Sequence, residues 1–222
     1  MTSRKVLVFD LDGTLIDSRG DIAAAANYGL SQLGRPTLSV ATICGFVGNG
    51  APYLLRCVAD AAPGGVLDEE EFRSLSAHFH AYYRSHPVDL STVLPGAEAA
   101  LSLPNRRFAL CTNKPRSLTD LVVAGLGWNE RFEAVVGGGD SPHKKPHRGP
   151  LDLVAELLRV APHDLIIIGD GPQDIGAGHA VGAYTIGVRG GFLDETLLIE
   201  ALPHVILDTL VQLPAYLESQ NL

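Results

Sequence analysis

The chain has few cations, few cysteines and no long apolar run. Against 25 Asp and Glu stand 17 Lys and Arg, giving a formal net charge of −8 and a pI near 5.4. That balance argues against a nucleic-acid or anionic-membrane surface, because both need a dense positive field. It also means that an anionic substrate meets a repulsive protein, so cations must be concentrated locally. No stretch approaches the roughly 20 apolar residues of a membrane span. The first residues enter a strand pattern almost at once, without the pattern of a signal peptide. Cys44, Cys57 and Cys111 are odd in number, lack metal-ligand spacing, and read as small core residues in a reducing cytoplasm. Four residues separate Cys111 from Arg116, one short of a cysteine-phosphatase loop. Cysteine chemistry is not expected.

What remains is an ordinary globular composition. At 46% hydrophobic residues the chain can bury a core, and its 222 residues suffice for one large domain or a domain with a substantial insertion. Short apolar runs at 5–9, 107–111, 133–136, 164–168, 183–187 and 204–206 predict strands, and 116–126, 148–160 and 208–217 predict helices between them. Such alternation implies a parallel sheet covered on both faces, with ligands at the carboxyl ends of its strands.

From Ser18 to about Asp89 the alternation stops. Residues 18–33, 38–46, 50–61 and 69–85 read as successive helices. Ser18 and Asp21 resemble a capping-box start, Gly34-Arg35-Pro36 ends the first helix, and Pro63-Gly64-Gly65 separates the third from the fourth. The alternation resumes after Pro95-Gly96. The expected fold is α/β: a Rossmann-like parallel-sheet core over residues 1–16 and 90–222, with an inserted helical cap domain over 17–89. No internal repeat or low-complexity segment is evident.

The strand ends carry the chemistry. The first ends in Asp10-Leu11-Asp12, the second in Thr112-Asn113-Lys114, and the fourth in Gly169-Asp170, with Asp174 four residues on. The third leads through Gly137-Gly138-Gly139-Asp140 to Lys144-Lys145-Pro146. Alternate strand residues share a face, so Asp10 and Asp12 point the same way with Leu11 turned inward. Like charges this close resist ionisation unless a cation sits between them. On one sheet edge, these groups make a phosphate-and-metal inventory.

In that order, Asp10-Leu11-Asp12-Gly13-Thr14, Thr112-Asn113, Lys145-Pro146 and Gly169-Asp170 with Asp174 resemble the four motifs of the haloacid dehalogenase superfamily of phosphohydrolases. The resemblance spans the whole chain, cap included. Within the superfamily the chain is most similar to phosphoglycolate phosphatases, through "DLDGTLIDS", "GNG" at 48–50, "TNKP" at 112–115, "GGGDS" at 137–141 and "KKPH" at 144–147.

The resemblance implies a Mg²⁺-dependent phosphomonoesterase that works through an aspartyl-phosphate and hydrolyses 2-phosphoglycolate to glycolate and phosphate. Asp10 is then the nucleophile and Asp12 the general acid and base. Thr112 and Lys145 contact the transferring phosphoryl group. Asp10, Asp170 and the backbone carbonyl of Asp12 hold Mg²⁺, with Asp174 as a supporting ligand. Substrate contacts are expected from Asn113 and from Gly48, Asn49 and Gly50, whose N–H groups begin a helix and suit a carboxylate. Arg56 is either a further carboxylate partner or part of a solvated helix face. The partner is a small phosphorylated metabolite, with no nucleic acid and no membrane, on a cytoplasmic monomer or homodimer.

Some positions depart from the family pattern. Arg148 and Gly149 replace a proline and an acidic or small residue, Gly171 replaces a hydroxyl residue after Asp170, and "VRGGF" replaces a tyrosine–glycine pattern. None removes a catalytic group. The alternatives are a phosphatase for a sugar phosphate, a nucleotide or pyrophosphate, a phosphosugar mutase, or a non-enzymatic protein on the same scaffold. Mutases and phosphonate hydrolases of this type look to a cap lysine, and no lysine lies between Lys5 and Lys114. Dehalogenation would leave Asp12 without a role.

Overall fold

The apolar runs of the sequence become one sheet. The computed structural model describes residues 5–222. Its strands are β1 (Val6–Phe9), β2 (Ile16–Asp17), β3 (Thr92–Val93), β4 (Arg107–Pro115), β5 (Ala134–Gly138), β6 (Leu165–Gly169), β7 (Tyr184–Val188) and β8 (Val205–Leu207). Six of them form a parallel sheet in the order β5-β4-β1-β6-β7-β8. Strands buried on both faces need no polar alternation, which is why they read as continuous apolar runs.

Successive residues of β1 feed different cores. Leu7 and Phe9 face a cluster that runs on into the helices after β2. Val6 and Val8 face Leu151, Val154 and Leu158 of α7 (Gly149–Leu158) and Ala177 and Val181 of α8 (Pro172–Val181).

Between β2 and β3 lie α1 (Arg19–Gln32), α2 (Val40–Cys44), α3 (Ala51–Ala61) and α4 (Glu69–Ser85). The remaining helices are α5 (Ala97–Ala100), α6 (Arg116–Gly125), α9 (Glu195–Glu200) and α10 (Leu213–Ser219). The architecture is the expected one, an α/β sheet with a helical insertion after its first strand. The antiparallel ribbon of β2 and β3, with Ile16 opposite Val93, ties the two connections of that insertion together. Two residues per strand are too few to leave a periodic signal. The last helix begins later than its pattern suggests: a 3₁₀ turn spans Leu210–Gln212, and Pro214 sits in the first turn of α10, where its missing N–H is harmless.

Ser18 corrects one expectation. It makes no side-chain cap on α1; its Oγ instead donates to Asp12 Oδ1 at 2.5 Å. Asp21 is buried and accepts from the Leu90 N–H at 2.9 Å and from Ser91 Oγ at 2.5 Å. The structure does hold a capping box, at Asp68 and Glu71 of α4.

Asp21 therefore joins the first helix of the insertion to the segment where the chain returns to the sheet. Replacing it by Ala leaves two donors without their charged acceptor. Asp21→Ala should destabilise the fold by about 2–3 kcal/mol and lower the Tm by roughly 4–10 °C. Thermal unfolding followed by circular dichroism checks this, and an unchanged Tm would remove Asp21 as an anchor.

Candidate active site

Register brings the motifs together. Phe9 of β1 pairs with Leu110 of β4 and Ile168 of β6, so β1 and β6 end at one level while β4 runs on past them to Pro115, carrying Thr112, Asn113 and Lys114. Asp10 stays on the sheet, its N–H donating to the Ile168 carbonyl at 2.9 Å. Carboxylate oxygens of Asp10, Asp170 and Asp174 lie within 4.8 Å of one another. Lys145, 3% exposed, reaches this cluster from the loop after β5. Its Nζ donates to Asp10 Oδ1 at 2.8 Å, Asp174 Oδ1 at 2.5 Å and the Cys111 carbonyl at 2.5 Å.

One ammonium does not balance three carboxylates in a dry cleft. Burial lifts Asp10 to about 6; Lys145 opposes the rise, while Asp174 and Asp12 add to it. Burial also carries Asp170 well above the usual carboxylate range, with Asp10 and Asp174 adding to the rise. Burial opposes the charge on Lys145, but Asp10 and Asp174 override it and hold the ammonium protonated. The surplus negative charge and the clustered hard oxygen donors suit a small divalent cation. Cys111 lies beside them, its thiol pushed by burial up to about 12, and is inert as expected.

Asp170 is fixed by Thr14 Oγ1 at 2.8 Å and the Phe192 N–H at 3.3 Å. A Cβ at Gly191 would stand 2.1 Å from Asp170 Oδ2, so the glycine of "VRGGF" lets the chain pass close to this carboxylate. Asp174 is held in turn by the Gly171 N–H at 3.1 Å, a contact that needs no side chain at position 171. Arg148 and Gly149 belong to the surface: Arg148 pairs with Asp152 at 2.6 Å, and the Gly149 N–H donates to His147 Nδ1.

Asp12 faces the same cleft with different partners. Its side chain lies outside the carboxylate cluster, between Ser18 and Lys114, whose Nζ is 3.0 and 3.1 Å from its two oxygens. Lys114 is the group that sequence reasoning missed as a site residue. The available signal was its strand position, two residues after Thr112 and hence on the same face. Thr112 is buried and lines the cleft, and its Oγ1 accepts from the Lys114 N–H at 3.2 Å.

The groups expected at the substrate are engaged within the protein, and Arg56 takes the solvated-face alternative. Asn113 lines the cleft, but its amide is already occupied: Nδ2 donates to the Gly48 and Lys145 carbonyls, and Oδ1 accepts from the Lys145 N–H at 2.9 Å. It joins the insertion to the lysine loop. The segment Gly48-Asn49-Gly50 docks through its carbonyls, Asn49 accepting from Lys144 Nζ at 2.7 Å. Gly48 and Gly50 have φ of +113° and +80°, which turn these carbonyls toward the sheet. Arg56 lies over Phe72 and beside Glu69 on an exposed face, away from the cleft. Lys144 and Lys145 diverge, one to the surface of the insertion and one into the carboxylates.

The cleft opens between the sheet edge and the insertion. Carboxylates and lysines form its floor, and Ile22, Val47, Leu54, Phe79 and Leu118 form much of its wall. Clustered carboxylates, a further carboxylate held by Ser18 and Lys114, and a buried ammonium are groups that phosphoryl transfer to water can use.

Known proteins resemble this chain in sequence and fold. The haloacid dehalogenase-like hydrolase family matches residues 4–182. A phosphoglycolate phosphatase of Cereibacter sphaeroides is 38% identical over 205 residues, covering 89% of this chain and 90% of the relative. Another from Haemophilus influenzae is 31% identical over 96% of this chain and 97% of its own. The crystal structure of a predicted phosphoglycolate phosphatase from Haemophilus somnus superposes with a TM-score of 0.91 at 27% identity, over 97% of this chain and 99% of that one. The chain belongs to the haloacid dehalogenase-like hydrolases, and among them it is a phosphoric monoester hydrolase of the phosphoglycolate phosphatase-like kind.

Proposed function

We propose that the protein is a Mg²⁺-dependent phosphatase that attacks its substrate with Asp10 and releases glycolate from 2-phosphoglycolate. The observation that carries this reading is the placement of Asp10: half-buried at a strand end, against Lys145, within 4.8 Å of Asp170 and Asp174. Residues 1–16 and 90–222 act as the catalytic core, and 17–89 as a cap over it. The names of the relatives above favour phosphoglycolate. A mutase finds no lysine in the insertion.

Spontaneous hydrolysis of phosphate monoesters is slow enough that enzymes accelerate it by up to ~10²¹, and acid–base help supplies only ~10²–10⁴ of that. Covalent catalysis and charge neutralisation must supply the rest. Asp10 attacks phosphorus in line, the bond to the leaving oxygen breaks, and Asp12 gives that oxygen its proton. Asp12 then takes a proton from the water that opens the aspartyl-phosphate and frees inorganic phosphate. Ser18 and Lys114 fix the carboxylate of Asp12 for both transfers. Asp10, Asp170 and the backbone carbonyl of Asp12 would hold Mg²⁺, with Asp174 supporting, and the ion would neutralise phosphoryl charge. Thr112 and Lys145 steady the transferring group.

Asp10→Asn keeps shape and removes the nucleophile, so turnover of p-nitrophenyl phosphate should vanish with the circular dichroism spectrum unchanged. EDTA should silence the wild type and Mg²⁺ restore it. A near-normal rate in Asp10→Asn excludes the covalent route, and activity that survives full chelation excludes the cation site.

Lys145→Ala should lower kcat by ~10²–10³, by analogy with loss of one transition-state donor. Lys144→Ala should stay within a few-fold of wild type, because its ammonium is exposed and meets only the Asn49 carbonyl. The reverse ranking in steady-state kinetics would place this loop out of register.

If the site reads a carboxylate, kcat/KM for 2-phosphoglycolate should exceed that for ethyl phosphate by roughly tenfold to a hundredfold. Equal values leave a phosphatase whose substrate is another small ester.

A further inference from the structure

Two groups in the cleft lack a ligand of their own in the chemistry above. Tyr83, on α4 of the insertion, is 1% exposed, lines the cleft, and has a buried hydroxyl with no hydrogen-bond partner. A buried hydroxyl left unpaired is costly, and one that borders a binding cleft finds its partner when a ligand arrives. Burial also holds the phenol above its ordinary pKa, so it remains a donor. Lys114 is its neighbour, with Nζ 4.6 Å from the centroid of the Tyr83 ring. Two of the three ammonium protons suffice for Asp12, and the third lies near the Tyr83 hydroxyl without closing a hydrogen bond to it.

Charge narrows what that acceptor is. Among the residues lining the cleft only Lys114 and Lys145 are cationic. Lys145 is held by Asp10 and Asp174 on the side of the nucleophile. Lys114 stands on the side of Asp12, where the leaving group departs. A substrate with a second anionic group beyond its phosphate therefore meets a single cation on that side. The helix-start loop of the insertion is docked on the core through its Gly48 and Asn49 carbonyls, which accept from Asn113 and Lys144.

We propose that Lys114 Nζ and the Tyr83 hydroxyl form the subsite for a carboxylate on the leaving group. Each donates to one carboxylate oxygen. Asp12 must reach the ester oxygen while bonded to Lys114, so the carboxylate lies within a carbon or two of that oxygen. The apolar side chains around it, Ile22, Leu54, Phe79 and Leu118, offer nothing to the hydroxyls of a sugar. This rests on the phosphatase reading and gives its substrate preference a residue-level cause.

The test uses two inert phosphonates of equal length, 3-phosphonopropionate and propylphosphonate, which differ only in carboxylate against methyl. Affinities are measured by calorimetry with Mg²⁺ present, on wild type, Lys114→Met and Tyr83→Phe. Wild type should favour the carboxylate ligand at least tenfold, and that ratio should fall about tenfold in Lys114→Met and several-fold in Tyr83→Phe. Tyr83→Phe keeps the ring and decides the matter if Lys114→Met does not fold. A wild-type preference that persists in both variants overturns the subsite alone. A wild-type ratio near one overturns the subsite and the carboxylate substrate together. Turnover of p-nitrophenyl phosphate by the same wild-type preparation reads the phosphatase reaction separately, and its absence is the failure of that reading.

Discussion

The buried ammonium of Lys145 is what makes the rest of the site possible. Asp10 and Asp170, at the ends of two parallel strands, crowd against Asp174 of α8, and desolvation together with neighbouring carboxylates raises the cost of ionising Asp10 and Asp170. Lys145 bonds Asp10 and Asp174 at once and offsets part of that cost. It does so from a loop that has no strand of its own at that level. Its place depends on Asn113, whose side chain holds both the N–H and the carbonyl of Lys145. The carboxylate that follows β1 is thus set by an amide on β4 acting through a lysine after β5.

The sheet was legible because its strands are buried on both faces. All six apolar runs became strands within a residue or two at their starts, and the carboxyl ends of β1, β4 and β6 met as expected. What the pattern could not express were contacts far apart in sequence. Asn113 reads as an ordinary substrate-facing amide until Gly48, 65 residues away, takes its donor. Ser18 reads as a cap, yet the turn after β1 brings its hydroxyl back to Asp12. Tyr83 belongs to a helix face that looks like plain core, and Lys114 like the end of a strand. Only the packing of α4 against the sheet edge joins them. The family motifs named the groups around Asp10. They did not name Tyr83 and Lys114 at the other side of the cleft.

The same contacts bear on how the site is assembled. The insertion meets the core through Asn113 to Gly48, Lys144 to Asn49, and Lys114 beneath Tyr83. Two of these three residues of the core lie on β4, next to Thr112, and the third adjoins Lys145. Any displacement of the insertion would therefore open Tyr83 to water and loosen the amide that positions Lys145. Burial of the cleft, which raises Asp10 and strengthens every charge interaction inside it, depends on the same docking. The docking of the insertion and the environment of Asp10 on the sheet edge are in this way parts of one arrangement. The short antiparallel ribbon of β2 and β3, with Asp21 beside it, keeps both connections in place while that arrangement forms.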